Sequence, residues 1–548
     1  MKLAILLILL YLYFNVKVIK TSNILATTFS LLLLTMMPTT ITNYLSSPQS
    51  SSLNLVYSQE TPEAAPMNDN DSRVSQNITS QQQQPINTAS LQLPSQEGFK
   101  VRVLASNFSE PHNIIYGPDN ILWITERLGK SITLVDPNNG TILSNMTVPG
   151  VHQSGGQDGL MGMVLDPNFN NNGQLYVAYT YDAANNSSSN SDNELERLTK
   201  ITRFTFDKTT STINEPVDII SGLQGSIDHN SGRLAFGSDG KLYYTIGDQG
   251  KNQLSLYCQD IEAQTLPTAE EVANQNWTAY QGKVLRMNPD GSIPEDNPVI
   301  EGVQSHIFTF GHRNPQGLAV GPDGNMYAAE HGPNSDDEVN RLQAGGNYGW
   351  PYIAGYQDDQ AYRYVNWSSA GEQCPQLDSR NVTAGIEAGV LAVKESEVNL
   401  PNFVPPVATF FTVASDYNFT DHNCGQLAYI CNPTIAPSSL RLYDSDTIPG
   451  WNGTLLMPTL KAGKIYQLIL DDNRTSLALE PAEMFKSENR YRDLAISPDG
   501  STLFVITDSS GPAQAIGGGA TTELWNPGSL LEFKYVGGNN NNNITEIQ

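Results

Sequence analysis

Four short polar motifs carry the residue types in this sequence that could move a proton or hold an anionic ligand. An imidazole beside a carboxylate, as in Asp228 and His229, can act as a general base near neutral pH. Arginines two residues apart, as in Arg490 and Arg492, project to the same face of an extended segment. The motifs are GGQDGLMG at 155–162, SIDHNSGRL at 226–234, FGHRNPQGLA at 310–319 and SENRYRDLA at 487–495.

Taken singly, each motif has a simpler interpretation, because Asp–His pairs are common in surface turns and arginines often form ordinary ion pairs. The chain, however, has 30 Lys and Arg against 56 Asp and Glu, a formal net charge of −26. Such a charge repels phosphate groups, so the sequence argues against nucleic-acid binding and against docking on anionic lipid. In so acidic a chain, basic side chains beside several turns predict a local cationic pocket for a small, multiply anionic ligand.

A fifth stretch, AEHGPNSDDEVN at 329–340, places Asp336, Asp337 and Glu338 after a Gly-Pro-Asn turn. Carboxylate and carbonyl oxygens suit a hard cation such as calcium. Three acids after a turn are equally typical of a solvated loop, so the residues alone leave both interpretations open.

All of these motifs adjoin turns, and the elements that position them are repeated β-hairpins. Each repeat has a short apolar strand, a turn with Pro or Ser, Asp and Gly or Asn, and a second apolar strand, which is typical of a hairpin. Repeated hairpins with few helices predict a β-propeller or a large β-sandwich. The segment 268–285 holds the best candidate for a short helix. The repeats are IIYGPDNILWITE at 114–126, MVLDPNFNNNGQLYVAYT at 163–180, LAFGSDGKLYYTIGD at 234–248, LAVGPDGNMYAAE at 318–330 and LAISPDGSTLFVITD at 494–508.

Residues 1–45 hold two apolar runs, at 3–14 and 24–37, with Lys17 and Lys20 between them. Each run is short for a membrane span, and the second one, behind the lysines, is typical of a signal peptide. The alternative is a retained N-terminal anchor that tethers the protein to the membrane. With either alternative, the sequence predicts export to the extracellular or cell-envelope space.

Residues 46–97 are rich in Ser, Gln and Asn, a composition that predicts a disordered tether. Alternating apolar and polar residues in GFKVRVLASNF, at 98–108, predict the first strand. The predicted folded domain therefore spans 98–537, and an Asn-rich tail at 538–548 is predicted to be disordered.

The four cysteines are Cys258, Cys374, Cys424 and Cys431, and none lies in a Cys-x-x-Cys pair that would favour zinc. In an exported protein, Cys424 and Cys431 predict a disulfide that closes a short loop. Two buried free thiols are the alternative, and the sequence does not pair Cys258 or Cys374.

The motifs lie within longer segments whose order along the chain resembles one family. The chain resembles the soluble quinoprotein glucose dehydrogenases, which depend on calcium and pyrroloquinoline quinone (PQQ), over residues of roughly 100–536. The resemblance implies an all-β fold, a six-bladed β-propeller with long inserted loops. The segments include DHNSGRLAFGSDGKLYYTIGDQGKNQL, GKVLRMNPDGSIPEDNP, FGHRNPQGLA, HGPNSDDE, GGNYGWPYIAGYQDD, CGQLAYICNPTIAPSS, NRYRDLAISPDG and NPGSLLEF.

The same resemblance implies an enzyme that oxidises a glucose-like aldose at the anomeric carbon to the lactone. Hydride would pass to PQQ, and electrons would then go to an external acceptor. Pairing of two copies into a homodimer is an expectation taken from the family.

The resemblance also implies roles for single residues. His229 would be the general base, with Asp228 and Asp248 setting the site and Arg313 stabilising charge as hydride arrives. The cofactor would contact Gln157, Asp228, Arg313, Asn314, Tyr429, Thr434, Lys461, Arg490 and Arg492. The sugar would contact Gln157, Asp228, His229, Gln253, Leu254, Tyr429 and Asn432.

Two calcium sites are implied. The carbonyl oxygens of Gly332 and Pro333 would hold the active-site ion, which polarises the quinone. Of the three acids after the turn, only Glu338 would bind a second, structural ion. Asp336 and Asp337 are interpreted as surface acids of the turn. The ligands of this second ion would be Glu338, Tyr348, Ala354, Tyr356, Asp358 and Glu395.

One departure from the family concerns the substrate. Where the glucose enzymes have Cys-Trp-Pro-Thr, this chain has CNPT at 431–434, so Asn432 replaces an aromatic ring that would contact the sugar. Independently of this departure, two alternatives to the dehydrogenase stay open. One is a propeller hydrolase acting on sugar lactones, and the other is a sugar-binding propeller without catalytic activity.

Overall fold

The computed structural model describes residues 92–183, 197–379, 382–419 and 424–537. The predicted leader, most of the predicted tether and the predicted tail lie outside the described residues. Within the described ranges, the strands form six four-stranded antiparallel sheets and three two-stranded ribbons. No helix in these ranges is long and apolar enough to cross a membrane.

The six larger sheets are the blades of a propeller, and each blade except the last is built from one continuous stretch of chain. The first strand, β1 (Phe99–Ala105), belongs to blade six. Blade one holds β2 (Pro111–Gly117), β3 (Ile121–Glu126), β4 (Ser131–Val135) and β5 (Ile142–Thr147). Blade two holds β6 (Leu160–Leu165), β7 (Gln174–Asp182), β8 (Arg197–Asp207) and β9 (Thr212–Gln224), with the helix α1 (Phe169–Asn172) between its first two strands.

Blades three and four carry long inserted loops. Blade three holds β10 (Leu234–Phe236), β11 (Leu242–Ile246) and β12 (Lys283–Met287), then a ribbon of β13 (Val299–Ile300) and β14 (Val303–Gln304), and finally β15 (Ile307–Phe310); helix α2 is Ala269–Ala273. Blade four holds β16 (Pro315–Val320), β17 (Met326–Glu330) and β18 (Asp337–Arg341), then a ribbon of β19 (Tyr364–Asn366) and β20 (Leu391–Val393), and finally β21 (Ala408–Phe410); helix α3 is Val382–Glu387.

Blades five and six complete the ring. Helix α4 (Ala428–Cys431) precedes blade five, which holds β22 (Arg441–Tyr443), β23 (Thr454–Pro458), β24 (Ile465–Leu468) and β25 (Ala482–Met484). Blade six holds β26 (Tyr491–Ile496) and β27 (Thr502–Thr507), a ribbon of β28 (Ala513–Gln514) and β29 (Ala520–Thr521), and then β30 (Leu530–Tyr535), which pairs with β1.

The first strands of successive blades contact one another in a closed ring. The order is β2, β6, β10, β16, β22 and β26, and β26 returns to β2. Blade six is closed by residues from both ends of the domain, since Phe99 pairs with Tyr535 and Val103 with Leu531. The prediction of a six-bladed β-propeller is confirmed, and the sandwich alternative is excluded.

The repeated hairpins join the first and second strands of five blades. In four of them a turn aspartate accepts a hydrogen bond from the backbone N–H two residues later, and in blade two this is Asp166, which accepts from Asn168 at 2.8 Å. Asp239 accepts from Lys241 at 3.0 Å, Asp323 from Asn325 at 3.1 Å and Asp499 from Ser501 at 3.0 Å. This local bond stabilises the turn and explains why the repeat carries an aspartate there.

Apolar strand residues pack between neighbouring blades. Trp123 of blade one, for example, is 1% exposed and packs edge-on against Phe206 of blade two, with ring centroids 4.8 Å apart. The predicted short helix is also present as α2. Thr268 and Glu271 form a capping box at its N-terminus.

The topology brings the polar motifs to one end of the propeller, which we call the upper face. In each blade, the start of the first strand and the end of the second strand lie at the same end, because the two strands are antiparallel. Gln157, His229, Arg313 and Arg490 precede first strands, and Lys461 follows a second strand. The hairpin turns lie at the opposite end.

Two disulfides fix loops on the upper face. Cys424 and Cys431 are bonded, as predicted, and the alternative of free thiols is excluded. Cys258 bonds to Cys374, which ties the loop after β11 to the inserted segment of blade four. The sequence did not reveal this second pairing.

Candidate active site

Loops from blades two to six surround a cavity of about 270 Å³ on the upper face. Half of the predicted site residues lie on its wall, although they come from distant parts of the chain. Among them are Gln157, His229, Arg313, Gly332, Pro333, Tyr429, Asn432, Thr434, Lys461, Arg490 and Arg492.

The imidazole of His229 is held by a buried carboxylate. Its Nδ1 lies 2.7 Å from Oδ1 of Asp248, and the two residues are 5% and 1% exposed. Asp248 is fixed in turn by Trp350, whose indole N–H donates to Oδ2 at 2.8 Å. A carboxylate accepts only, so Nδ1 of His229 carries the hydrogen and Nε2 is left as the basic nitrogen.

One amide group lies beside this basic nitrogen. The side-chain Nε2 of Gln253 lies 3.2 Å from Nε2 of His229 and donates to Asp228 at 3.1 Å. Gln157 donates to the other oxygen of Asp228. The structure therefore joins four of the predicted residues in one network. Leu254, the fifth residue of the predicted sugar site in this region, is 78% exposed and lies outside the cavity wall.

The guanidinium of Arg313 forms the next part of the wall. It donates to Oε1 of Gln253 at 2.7 Å and to the His331 carbonyl at 3.2 Å. It also lies over the Trp350 ring, 5.3 Å from the centroid. Asn314 is fully buried directly behind it, away from the cavity wall, and accepts from Ser231 at 3.0 Å.

On the opposite side, Lys461 is buried among oxygen atoms of the loop around α4. Its Nζ donates to the Asn432 carbonyl at 2.7 Å, to the Tyr429 carbonyl at 3.2 Å and to the hydroxyl of Thr434. Burial lowers the pKa of Lys461 to about 8, although the negative charge of Asp337 opposes this shift. The side chain is therefore a cation at neutral pH.

Arg490 and Arg492 project to the same side, as their spacing predicts, and share one buried carboxylate. Arg492 binds Asp508 with two nitrogens, at 2.7 and 2.8 Å, and Nε of Arg490 donates to it at 3.1 Å. Two cations thus face one anion, and a positive charge remains for a ligand.

The interpretation of Asp336 and Asp337 as surface acids is wrong, since both are 1% exposed. Asp337 accepts backbone N–H bonds from Gly332 at 2.8 Å, Ile435 at 2.6 Å and Ala436 at 2.7 Å. Burial raises the pKa of Asp337 to about 6. Its three backbone bonds tie the Gly-Pro turn to the loop that holds Lys461, so this acid organises the cavity wall.

There is no room for a side chain at Gly332 in the Gly-Pro turn, so we expect Gly332→Ala to destabilise the protein. An added Cβ would lie 2.0 Å from the Ser335 carbonyl oxygen and 2.4 Å from that of Asp336. Overpacking of this kind costs about 1–3 kcal/mol. Urea unfolding measures the loss of free energy of unfolding.

Gly517→Ala is the matched control for this substitution. A Cβ at Gly517 meets no atom within 4 Å, and we expect a change within about 0.5 kcal/mol. Equal stability of the two variants would contradict the tight turn at Gly332.

The residues predicted for a structural calcium meet only in part. Glu338 accepts the backbone N–H of Gly355 at 2.5 Å, and Glu395 accepts that of Ala354 at 3.0 Å. Burial raises the pKa of Glu395 to about 7 and that of Glu338 well above its ordinary value. Two buried glutamates therefore reach the same loop.

The side chains of two other residues of this set form local hydrogen bonds, and the predicted ligands at Tyr348, Ala354 and Tyr356 are backbone oxygens. The Tyr348 hydroxyl donates to the Arg341 carbonyl at 2.6 Å, Asp358 accepts the Gln360 N–H at 2.8 Å, and Tyr356 is 38% exposed. Among the described residues, no group of three or more His, Cys, Asp or Glu is arranged to hold a metal ion. The second calcium site therefore stays a prediction.

Sequence reasoning missed three residues of the site, namely His331, Trp350 and Asp508. His331 lines the cavity, and its Nε2 donates to the Pro437 carbonyl at 2.9 Å. Burial and the charge of Arg313 hold its pKa well below the ordinary value, so this imidazole is neutral. Its position directly before the Gly-Pro turn was the available signal. No comparable signal marks Trp350 or Asp508, whose partners are distant in sequence.

The cavity fits a ligand that is anionic and rich in hydrogen-bond acceptors. Its wall carries the cations Arg313, Lys461, Arg490 and Arg492, and Asp337 is the one carboxylate that it holds among the described residues. Behind the wall, Nε of Arg313 and Nδ2 of Asn314 are buried donors without a partner among the described residues. The carbonyl oxygens of the partly buried Gly332 and Pro333 accept no backbone hydrogen bond from the described part of the chain.

The fold and this site define an oxidoreductase of the β-propeller class. The model of the glucose/sorbosone dehydrogenase family matches residues 108–384 and 414–514, and the chain belongs to that family. Quinoprotein glucose dehydrogenase B of Acinetobacter calcoaceticus is 45% identical over 454 residues, which cover 82% of this chain and 94% of that protein.

Solved structures support the propeller fold. The PQQ-bound aldose sugar dehydrogenase of Streptomyces coelicolor matches with a TM-score of 0.51 and 24% identity, over 81% of this chain and 99% of that one. The soluble aldose sugar dehydrogenase of Escherichia coli, in its apo form, matches with a TM-score of 0.53 and 23% identity, over 80% and 99%.

Proposed function

We propose that this protein oxidises an aldose at its anomeric carbon to the lactone, with PQQ as cofactor and calcium as its metal. The observation that carries the proposal is the convergence of a carboxylate-bound imidazole and four cations on one cavity of about 270 Å³. Membership of the glucose/sorbosone dehydrogenase family and the 45% identical quinoprotein support the substrate class and the cofactor.

The basic side chains of the wall suit the carboxylates of PQQ. Arg490 and Arg492 both bond to Asp508, and each keeps one guanidinium nitrogen, Nη2 and Nη1 respectively, that donates to no described residue. Lys461 adds a point charge. The carbonyls of Gly332 and Pro333 are hard oxygen ligands of the kind that calcium takes. When bound, PQQ supplies the acceptor for hydride, and calcium supplies Lewis-acid polarisation of the quinone carbonyl.

His229 performs the proton transfer in this proposal. Asp248 holds the Nδ1 hydrogen, so Nε2 accepts the proton of the anomeric hydroxyl. Asp248 also stabilises the imidazolium that forms, because its buried carboxylate lies 2.7 Å from Nδ1 of His229. Gln253 and Gln157 orient Asp228 beside the imidazole, and Arg313 stabilises negative charge that develops in the cavity.

The choice of sugar depends on the wall around Asn432. This side chain is 7% exposed and donates to Asn334 at 3.1 Å, so it offers an amide where the family's glucose enzymes offer a ring. We infer that hydrogen bonds rather than ring stacking select the substrate here.

We also propose that the protein works outside the cytoplasm. Two disulfides join all four cysteines, and disulfides are typical of oxidising compartments. Export agrees with the apolar runs of the leader. The external electron acceptor, the pairing of two copies and the membrane tether remain proposals from the family resemblance and the leader.

Dye reduction by the purified protein tests the function. We expect no activity before PQQ and calcium are added, and aldose-dependent reduction of an artificial acceptor afterwards, with a panel of hexoses and pentoses. Chelation should abolish the activity, and calcium should restore it. Failure with every aldose, together with hydrolysis of a sugar lactone, would favour the hydrolase alternative.

A further inference from the structure

A second cavity, also of about 270 Å³, lies between blades two and three beside the active-site loops. One water molecule accounts for about 30 Å³ of the liquid, so the cavity has room for a small organic molecule. The residues of its wall that matter here are Arg197, Ile227, Gln249, Lys251, Gln259 and Gln281.

Two glutamines of this wall are buried and incompletely hydrogen-bonded. Gln249 is 3% exposed and Gln281 is 1% exposed. The amide nitrogens donate to the carbonyls of Gly247 and Thr278, both at 3.0 Å. Their oxygen atoms have no partner in the described part of the chain. Each of these oxygens exposes less than 1 Å². Because buried acceptors without a donor are unfavourable, side-chain shifts that bring them to the hydroxyl hydrogens of a ligand are favoured.

The same wall carries a cation without an ion pair. Lys251 has no carboxylate within 4.0 Å among the described residues, although Glu262, Asp248 and Asp260 act on it from further away. Burial lowers its pKa. Arg197, by contrast, is occupied, because its Nε lies 3.2 Å from Asp158 and its Nη2 lies 3.1 Å from His152.

The charge of the wall is unusual for this chain. The protein has a formal net charge of −26, yet no Asp or Glu lines this cavity among the described residues. A half-buried, unpaired ammonium favours one negative charge on the ligand. The two glutamine oxygens favour hydroxyl groups on the same molecule.

We propose that this cavity is a binding site for a sugar acid, a small molecule with several hydroxyls and one carboxylate. After small shifts of the Gln249 and Gln281 side chains, ligand hydroxyls donate to their oxygens, and the carboxylate pairs with Lys251. The proposal rests on this cavity alone. Only the further step, that the sugar acid is the hydrolysed lactone product, rests on the proposed function.

This cavity lies next to the loops of the active site. Ile227 and Gln249 line it and are the neighbours in sequence of Asp228 and Asp248. The Ile227 carbonyl also accepts the backbone N–H of Gln157 at 2.7 Å. A ligand here therefore contacts the loops that hold the active-site carboxylates.

Calorimetric titration of the full protein with gluconate tests the proposal. We expect one bound gluconate per chain. Lys251→Gln should weaken the affinity for gluconate at least about 10-fold, equivalent to about 1.4 kcal/mol. Gln259→Glu adds a negative charge at an exposed position of the wall and should weaken gluconate binding by a similar factor. Acetate lacks the hydroxyls and methyl β-glucoside lacks the carboxylate, so each should bind at least tenfold more weakly than gluconate.

Two control variants separate this site from the rest of the protein. Lys208→Gln removes an exposed lysine that pairs with Asp119 at 2.7 Å, and it should leave gluconate binding unchanged. Arg490→Gln alters the other cavity and should also leave it unchanged. The proposal is wrong if wild type binds no gluconate, if acetate binds equally well, or if Arg490→Gln rather than Lys251→Gln weakens binding. Failure of the dye-reduction assay would not affect this result.

Discussion

Replacing His229 with asparagine is expected to lower kcat for aldose oxidation by about 10²- to 10⁴-fold, the usual contribution of a general base. Asparagine removes the basic Nε2 but keeps a polar group of similar size beside Asp248. Cofactor affinity should change little, because the cations that would hold PQQ lie on the opposite side of the cavity. Steady-state dye reduction measures kcat, and fluorescence titration with PQQ measures the affinity.

The matched control for this substitution is His152→Asn. His152 also pairs with a carboxylate, with Nδ1 2.9 Å from Asp182, but it lies outside the cavity wall. We expect its kcat to equal that of wild type. Asp248→Asn should give an intermediate loss, because the amide can still accept from Nδ1 but cannot stabilise the imidazolium. A full kcat in His229→Asn would assign the proton transfer to another group.

The fold could be predicted from local sequence for five of the six blades. Their hairpins carry a short turn with an aspartate, so the signal lies within about 15 residues. Blade five has no such signal, because β22 (Arg441–Tyr443) has three residues and a long connection separates it from β23 (Thr454–Pro458). Ring closure could not be predicted from local sequence either, because it depends on Phe99 pairing with Tyr535 across the whole domain.

The candidate site could be predicted where a residue type carries its own chemistry. His229, Arg313 and Lys461 have side chains whose charge or basicity suggests a role wherever they are placed. The structure confirms that they share a cavity. Trp350 was missed because its function comes from one hydrogen bond to Asp248, 102 residues away.

The error at Asp337 has the same physical origin. After a turn, a carboxylate is usually solvated, and the sequence offers no reason to bury it. Burial is compensated here by three backbone N–H groups, two of which belong to Ile435 and Ala436, 98 and 99 residues away. A buried acid can be recognised from sequence only when its donors are local, and these donors are not.

Replacing Arg492 with glutamine is expected to weaken PQQ binding by about 10- to 100-fold, since a hydrogen bond to a charged group contributes about 1.5–3 kcal/mol. Arg492 binds Asp508 through Nε and Nη2, and no residue in the described ranges accepts from its Nη1. That nitrogen is available to a cofactor carboxylate. Arg492→Lys keeps the charge but loses the fork, so its affinity should be intermediate. Equilibrium titration of the apoprotein with PQQ at constant calcium measures the dissociation constants.

Loss of affinity must be separated from loss of folding, because Arg492→Gln leaves Asp508 with one cation instead of two. The double variant Arg492→Gln, Asp508→Asn removes that buried charge as well. We expect it to recover thermal stability relative to the single variant, while its affinity for PQQ stays low. Arg441→Gln is the matched arginine control, since Arg441 pairs with Asp493 at 3.0 Å and lies outside the cavity wall. Recovery of PQQ affinity in the double variant would show that Arg492 acts by supporting Asp508 and not by binding the cofactor.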